Sequence, residues 1–466
     1  MRTERREMNK LISNNPAKNY SRIGEVNISS QAEVKKKVAL AKRAFGSWRG
    51  IGLDGRIKHL QKVYDVLYRN RKKISKLACQ EMGFPIAQQE IFDIGDGFAY
   101  FEWYLKNAKK YLTPEITFQN KKEIHKVYFE PVGVAAVIQP WNFPFCQWSW
   151  AVVPNLIVGN TVVFKHSEEV PLTGKLIEDL IASSKLPDRG FGEGYGDGKV
   201  GEILTDQEID LIAFTGSCRV GQLIYQKSAK KFIKVLLELG GSAPGVIFED
   251  ADINSAAEHI FGARFTNNGQ ACDGLKRLIV HKSKFDEVVT KLKQTLESKV
   301  IGDPLDPKTD FGPLVAKRQQ DLIVAQVSDA KRKGAKVVIG GKIPDKPKGA
   351  YYEPTILTNI STKMRVWSEE VFGSVLPVVS FKTEEEAVRM ANDTQYGLGS
   401  YVYTKDLKKA ERVGSKIKAG MVSVNGINYV CPFNPFGGYK QSGIGREHGR
   451  YGLHDLCQIK TVAANK

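Results

Sequence analysis

The chain is poor in cysteine, has fewer acidic than basic residues, and lacks long apolar runs. Six cysteines in 466 residues (Cys79, Cys146, Cys218, Cys272, Cys431, Cys457) are too few and too scattered for a disulfide framework or a C-x-x-C metal site. No metal is therefore expected. No window approaches the ~18 uninterrupted apolar residues of a membrane span. Residues 1–30 hold no apolar signal-peptide core, and Glu4 and Glu7 argue against a transit peptide. A reducing cytoplasm, with no membrane partner, is the expectation. Acidic residues number 51 against 69 Lys and Arg, a formal charge of +18. The first 50 residues carry 12 Lys/Arg against 4 Glu, and the remaining excess is dispersed through helix-like segments where Glu and Lys mix. A nucleic-acid binder would gather its charge in a stripe with aromatics between, so none is expected as a partner. Hydrophobic residues at 42% and charged residues at 26% exclude a disordered chain.

What is present is alternation. Gln31–Trp48 places Val34, Val38, Ala41 and Phe45 at helical steps. Helix-like segments follow over Asp54–Met82 and Pro85–Lys110, with Gly83 as a stop signal. Thr113–Glu130 reads as a hairpin arm. Short apolar runs over Val132–Ile138, Thr161–Phe164, Leu211–Phe214 and Val235–Leu237 read as buried strands, with helices over Pro171–Lys185 and Arg219–Lys231. The alternation resumes at Gly245–Phe248, Arg277–Val280, Lys336–Ile339, Val375–Phe381 and Tyr401–Tyr403. This texture predicts an α/β fold with two parallel-sheet units dividing near Gly240–Gly241. Residues 426–450 read as loop. Gln458–Val462 reads as a last strand that pairs with the arm or with another subunit's edge.

Five segments carry chemistry. Cys272 lies in Asn267-Asn268-Gly269-Gln270-Ala271-Cys272-Asp273-Gly274, after a helix and before a strand. Its flanking glycines admit close backbone approach by a ligand, and a thiol there can serve as a nucleophile. Alone, it is also readable as a small buried hydrophobe. Glu238 ends a very apolar strand, where a carboxylate has a raised pKa and can act as a general base or simply cap the next turn. Asn142, in Pro140-Trp141-Asn142-Phe143-Pro144, offers N–H donors to an oxyanion on a stiff segment. Phe214–Gly221 is a strand, a glycine turn and a helix start, able to hold a pyrophosphate, though it is not G-x-G-x-x-G. Lys165 and Glu168 end a strand where ribose hydroxyls are commonly bound.

Together these segments resemble the aldehyde dehydrogenase superfamily, from about Asn15-Pro16-Ala17 to Val462. The shared motifs are Pro140–Pro144, Phe214–Gly221, Glu238–Gly241, Gly269–Cys272, Glu370-Val371-Phe372-Gly373, and Pro435–Gly438 with Ser442-Gly443. The resemblance implies a bilobal subunit: a Rossmann-like cofactor domain with a parallel sheet, an α/β catalytic domain and a small β oligomerisation arm. It maps the NAD-binding domain to 1–112 and 132–240, the catalytic domain to 241–441 and the arm to 113–131 and 442–466. It also implies a homodimer or homotetramer. Carried over by position, Cys272 resembles the catalytic thiol and Glu238 the general base. Asn142 and the Cys272 N–H resemble the oxyanion hole. Ile138, Gln139, Pro140 and Trp141 resemble cofactor contacts, as do Lys165, His166, Ser167 and Glu168. Thr215, Gly216, Ser217, Val220 and Leu239 resemble further ones, with Glu370 and Phe372 on the nicotinamide side. The substrate pocket is implied at Phe143, Gln147, Trp150, Ala271, Asp273, Val430 and Phe436.

The implied activity is oxidation of an aldehyde to a carboxylic acid with NAD. NADP is disfavoured by Glu168. A thiol hydrolase or acyltransferase using Cys272 without redox is the alternative, and Glu370-Val371-Phe372-Gly373 is a motif it would not need. Lys165-His166 and Tyr451-Gly452-Leu453-His454 resemble the bacterial succinate-semialdehyde branch. That branch often has an Arg where Trp150 stands, an Arg that would bind a distal carboxylate. Three departures stand out: His166 replaces a frequent Pro, Ser374 follows Phe-Gly, and the glycines of Gly190–Gly198 replace an apolar strand, so that strand is expected to be short.

Overall fold

The runs Val134–Ile138 and Thr161–Lys165 are buried along their whole length, as strands covered on both faces must be. In the computed structural model, which describes residues 10–184, 186 and 190–466, they are neighbours in a six-stranded sheet. The order is Gly443–Ile444, Lys234–Glu238, Leu211–Thr215, Val134–Ile138, Thr161–Lys165, Phe191–Glu193. All neighbours are parallel except Gly443–Ile444, which runs antiparallel to Leu237–Glu238. Side chains alternate between faces with period two. Ala135, Val137, Val162 and Phe164 enter one core, and Val134, Ala136, Ile138 and Val163 the other. The chain runs outward in opposite directions from Val134–Ile138, so the order reverses between that strand and Leu211–Thr215. A crevice opens at such a switch point.

A second sheet of seven strands has the order Lys336–Ile339, Thr355–Thr358, Val375–Phe381, Leu275–His281, Ala243–Ile247, Tyr401–Tyr403, Ser423–Val424. Only Lys336–Ile339 is antiparallel to its neighbour. The chain passes from one sheet to the other between Glu238 and Ala243. A three-stranded antiparallel sheet joins Glu115–Gln119, Glu123–Pro131 and Cys457–Asn465. The last strand therefore pairs with the hairpin of its own chain. Gly443–Ile444, placed in the arm on sequence grounds, instead joins the six-stranded sheet.

The α/β alternation holds, and local details differ. Asp54–Met82 is two helices, Gly52–Arg69 and Arg71–Met82, broken at Asn70. The second ends at Gly83, whose φ of 80° is the left-handed cap glycine allows. Pro85–Lys110 contains a π-helical turn, Glu90–Gly95, before the helix Asp96–Leu112. Phe191–Glu193 is three residues long, as its glycines led one to expect. The end of the 171–185 helix falls partly on Lys185, and three of the twelve basic residues of the first 50 lie before Lys10, outside the described residues. The hairpin Lys10–Asn15/Ser21–Asn27 has no counterpart in the sequence reading, and neither has the helix Pro144–Val158. That helix is buried all round except at Trp150, so it shows no amphipathic period. Asp93 accepts from Phe145 N (3.1 Å) and Cys146 N (2.8 Å), which caps its N-terminus. Among the described residues no helix is long and apolar enough to cross a membrane.

Candidate active site

Cys272 sits where a chain would not ordinarily turn. The helix Ile253–Phe265 ends, and Asn267, Asn268 and Gly269 follow with φ of 53°, 56° and 75°. Three successive left-handed residues are tolerated because Asn and Gly carry the smallest penalty there. A Cβ at Gly269 would also strike the Gly373 backbone. The surroundings hold the turn firmly. Asn268 Nδ2 donates to Gly83 O (3.2 Å) and Pro313 O (2.8 Å), and Asn268 Oδ1 accepts from Gly312 N (2.8 Å). Buried Arg264 donates to Gly269 O, Val371 O, Gly373 O and Val375 O. One guanidinium thus ties the thiol's turn to the Glu370–Gly373 motif.

Asn142 is bound to this turn at both ends. Its Nδ2 donates to Gln270 O (3.1 Å), and its carbonyl accepts from Asn267 Nδ2 (2.7 Å). An amide donor is therefore held two residues from the thiol. Burial pushes the Cys272 thiol well above its ordinary value, and the Asp273 charge adds to this. Lys276 opposes, and Glu370 and Glu238 add again.

Lys276 carries no motif and escaped the sequence reading. Its fully buried ammonium donates to Cys272 O (2.7 Å) and to Glu370 Oε1 (2.7 Å), and lies 5.3 Å from the Phe372 ring centroid. Glu370 Oε1 also accepts from Gly241 N (3.1 Å). A Cβ at Gly240 would sit on the Glu370 carboxylate, and one at Gly241 on the Cys272 carbonyl. That close approach is the physical reason for the paired glycines.

Glu238 closes its strand between Thr215 and Gly443. It is 2% exposed, and neither carboxylate oxygen has a protein partner. Burial raises its pKa well above the ordinary value, the Glu447 charge raises it further, and Arg446 opposes. Glu447, in a stretch read only as loop, is itself pushed up to about 7 by burial. Its pairing with Glu238 spans 209 positions, so no local signal could have revealed it.

Two cavities flank this centre. The larger, about 560 Å³, opens at the switch point. It is lined by Ile138, Gln139, Pro140, Trp141, Lys165, Ser167, Glu168, Thr215, Gly216, Ser217 and Val220. The helix Cys218–Ala229 starts at its wall, capped by Ser217, and its free N–H groups suit a phosphate. Lys165 Nζ lies 3.8 Å from Glu168 Oε2. The cavity thus offers phosphate-binding backbone and a ribose-accepting carboxylate, the donor set a dinucleotide requires. The other cavity, about 360 Å³, is lined by Phe143, Gln147, Trp150, Ala271, Cys272, Asp273 and Val430 among others.

Seven expected residues lie off these walls: Asn142 and Glu238, placed above, and five more. His166 turns to the opposite side of its strand, where Nδ1 meets buried Glu193 Oε1 at 2.5 Å. Leu239 packs over Gly221. Glu370 is engaged by Lys276, and Phe372 packs edge-on against Trp141 at 5.6 Å. Phe436 lies behind Trp150, with ring centroids 5.5 Å apart, rather than on the cavity wall.

A family model described as the aldehyde dehydrogenase family matches residues 3–462. Among curated relatives, a peroxisomal aminoaldehyde dehydrogenase of Pisum sativum is 36% identical, over 98% of this chain and 92% of its own. A mitochondrial succinate-semialdehyde dehydrogenase of Oryza sativa is 34% identical, over 96% of this chain and 85% of its own. Among solved structures, a betaine aldehyde dehydrogenase of Staphylococcus aureus in complex with NAD+ superposes with a TM-score of 0.93. It is 33% identical, with 98% of this chain and 92% of that one covered.

Proposed function

The chain belongs to the aldehyde dehydrogenase family, and from that premise we propose that Cys272, Asn142 and Glu238 carry its reaction. The reaction is oxidation of an aldehyde to a carboxylic acid with NAD. The observation that supports this assignment most is the placement of Cys272 on the wall of the smaller cavity, on a turn that also holds Asn142. The Cys272 thiolate adds to the aldehyde carbon, and the carbonyl oxygen becomes an oxyanion. Asn142 Nδ2, turned from Gln270 O, and the Cys272 N–H donate to that oxygen. Bound NAD supplies the hydride acceptor. Hydride loss leaves a thioester on Cys272. Glu238 takes a proton from water as it attacks the thioester carbon, and the acid departs from the restored thiolate. A hydrolase without redox would leave the 560 Å³ cavity at the switch point with no role.

We assign the larger cavity to NAD, with Lys165 and Glu168 at the adenosine ribose. Domain limits follow the sheets: 1–112 and 132–240 for the cofactor, 241–441 for catalysis, and an arm centred on Glu115–Pro131 and Cys457–Asn465. Ile116, Phe118, Ile459 and Val462 are exposed on that arm, which suits burial against another copy in a homodimer or homotetramer. Six unpaired cysteines suit a reducing cytoplasm.

Two outcomes test the assignment. Asn142→Ala will lower kcat by about a hundredfold, the scale for removing one oxyanion donor. Initial rates at saturating aldehyde measure it, and a wild-type rate removes Asn142 from the mechanism. Glu168→Ser will raise kcat/KM for NADP more than it lowers that for NAD. A ribose 2′-phosphate against Glu168 is a like-charge contact, worth about 1–3 kcal/mol after solvent screening, so roughly tenfold to hundredfold for NAD. An unmoved ratio would remove Glu168 from cofactor selection.

A further inference from the structure

The two cavities carry opposite charge. The cofactor cavity is lined by Lys165, Arg219, Lys227 and Arg318 against Glu168 and Glu202. The substrate cavity is lined by Asp96, Glu258 and Asp273, and by no Lys or Arg among the described residues. In a chain with 69 basic residues against 51 acidic ones, this wall goes against the overall balance. Mere surface composition would place cations here too.

Asp96 is the informative member. It comes just after the π-helical turn Glu90–Gly95, and such turns insert one extra residue and rotate the later side chains round the helix. Asp93, within the turn, is consumed as a cap for the helix Pro144–Val158. Asp96 opens the next helix and lines the cavity. Burial alone pushes its pKa up to about 6, with no hydrogen bond or countercharge set against it. A partly desolvated carboxylate without a partner is costly unless something cationic meets it. A second group points the same way. Gln147 is 2% exposed, lines the same cavity, and its amide oxygen has no protein partner. It is an acceptor, suited to an N–H donor. Aromatic rings complete the wall. The hydroxyls of Tyr401 and Tyr429 meet at 3.0 Å, and Tyr401 donates to Asp273 O (3.2 Å). Their rings and that of Trp150 remain as apolar surface that also attracts cations.

We propose that this cavity selects an aldehyde whose far end is a cation, an ammonium held by Asp96 and Gln147 among aromatic rings. The proposal rests on Cys272 as the nucleophile. It sets aside a semialdehyde with a distal carboxylate, because that group would face three carboxylates and, among the described residues, no Lys or Arg. Nor do the residues that suggested such a substrate stand at the cavity. His166 pairs with Glu193, and His454 stacks on Phe129.

The test uses the full chain with NAD and four aldehydes: an aminopropanal, trimethylammonio-acetaldehyde, butanal and succinate semialdehyde. The expected order of kcat/KM is cationic, then neutral, then anionic, with at least about tenfold between the first two. The aminopropanal should exceed the trimethylammonio compound, because only it has N–H groups to donate to Asp96 and Gln147, and the reverse order overturns their role as the holders of the cation. Asp96→Asn should collapse the ratio of kcat/KM for the aminopropanal to that for butanal, while Asp96→Glu retains that ratio. If Asp96→Asn fails to fold, inhibition of wild type by propylammonium but not by propionate supports the proposal. Equal inhibition overturns it. An anionic aldehyde oxidised as fast as the cationic ones, or an unmoved preference in folded Asp96→Asn, overturns this proposal alone. No oxidation of any of the four overturns the reading of Cys272 and this proposal with it.

Discussion

Cys272→Ala protein will bind NAD and oxidise no aldehyde at a measurable rate. The expected loss exceeds about ten-thousandfold, because the covalent intermediate on the thiol cannot form. The substitution is clean in structural terms. The turn carrying residue 272 is held by Asn268, Arg264 and Gln270, none of them through the sulfur. Lys276 grips the Cys272 backbone carbonyl, which alanine keeps. Cofactor binding should survive for the same reason, since Cys272 is not on the wall of the larger cavity. Absorbance of reduced cofactor gives the rate, and quenching of tryptophan fluorescence gives the binding, with Trp141 on that wall. Substantial turnover by the alanine protein would end the thioester mechanism.

The second large effect concerns hydrolysis. Glu238→Gln will let hydride transfer proceed once and then stall at the thioester. A stopped-flow trace should show a burst of about one reduced cofactor per site, then a steady rate lowered by roughly a hundredfold or more. An unchanged steady rate would mean that another group activates the water. The pH dependence comes from the environment of the wild-type carboxylate. Burial, and then the Glu447 charge, raise its pKa. A base acts only when deprotonated, so hydrolysis gains rate as pH rises through that elevated value. Glu447 is itself raised to about 7 by burial, so above that pH its own charge holds the proton on Glu238. Removing this charge with Glu447→Gln should move the rising limb of the profile to lower pH. A limb that stays in place would show that the two carboxylates do not interact during turnover.

The short strands were legible because burial on both faces leaves an uninterrupted apolar run, and turn residues bound each one. Val375–Phe381 and Tyr401–Tyr403 match their sequence limits for this reason. The same uniform apolarity hid the helix Pro144–Val158, where nearly every side is core and no period of 3.6 survives. Its signals were Pro144 at the first position and Gly159 at the stop, with φ of 108°. Cys272, Glu238 and Asn142, the residues of the proposed mechanism, stood out because each sits in a motif with glycine or proline nearby, and such residues record backbone demands locally. Lys276, Arg264 and Glu447 leave no such record, since an ordinary buried side chain looks the same in sequence whatever it touches.

The sequence by itself therefore determined the α/β architecture and the family, and it singled out the segments to which the thiol and the cofactor crevice are assigned in the proposal. These depend on local period, on turn chemistry and on residues close together in the chain. Only the tertiary structure decided which carboxylate faces Glu238, which cation grips the thiol's own carbonyl, and that His166 and Phe436 turn away from the cavities. It alone decided that Asp96 reaches the substrate wall while Asp93, three residues earlier, is spent as a helix cap. The physical reason is that these outcomes rest on close-packed contacts between residues far apart in sequence. A single extra residue in the π-helical turn before Asp96 changes which side chain faces which neighbour.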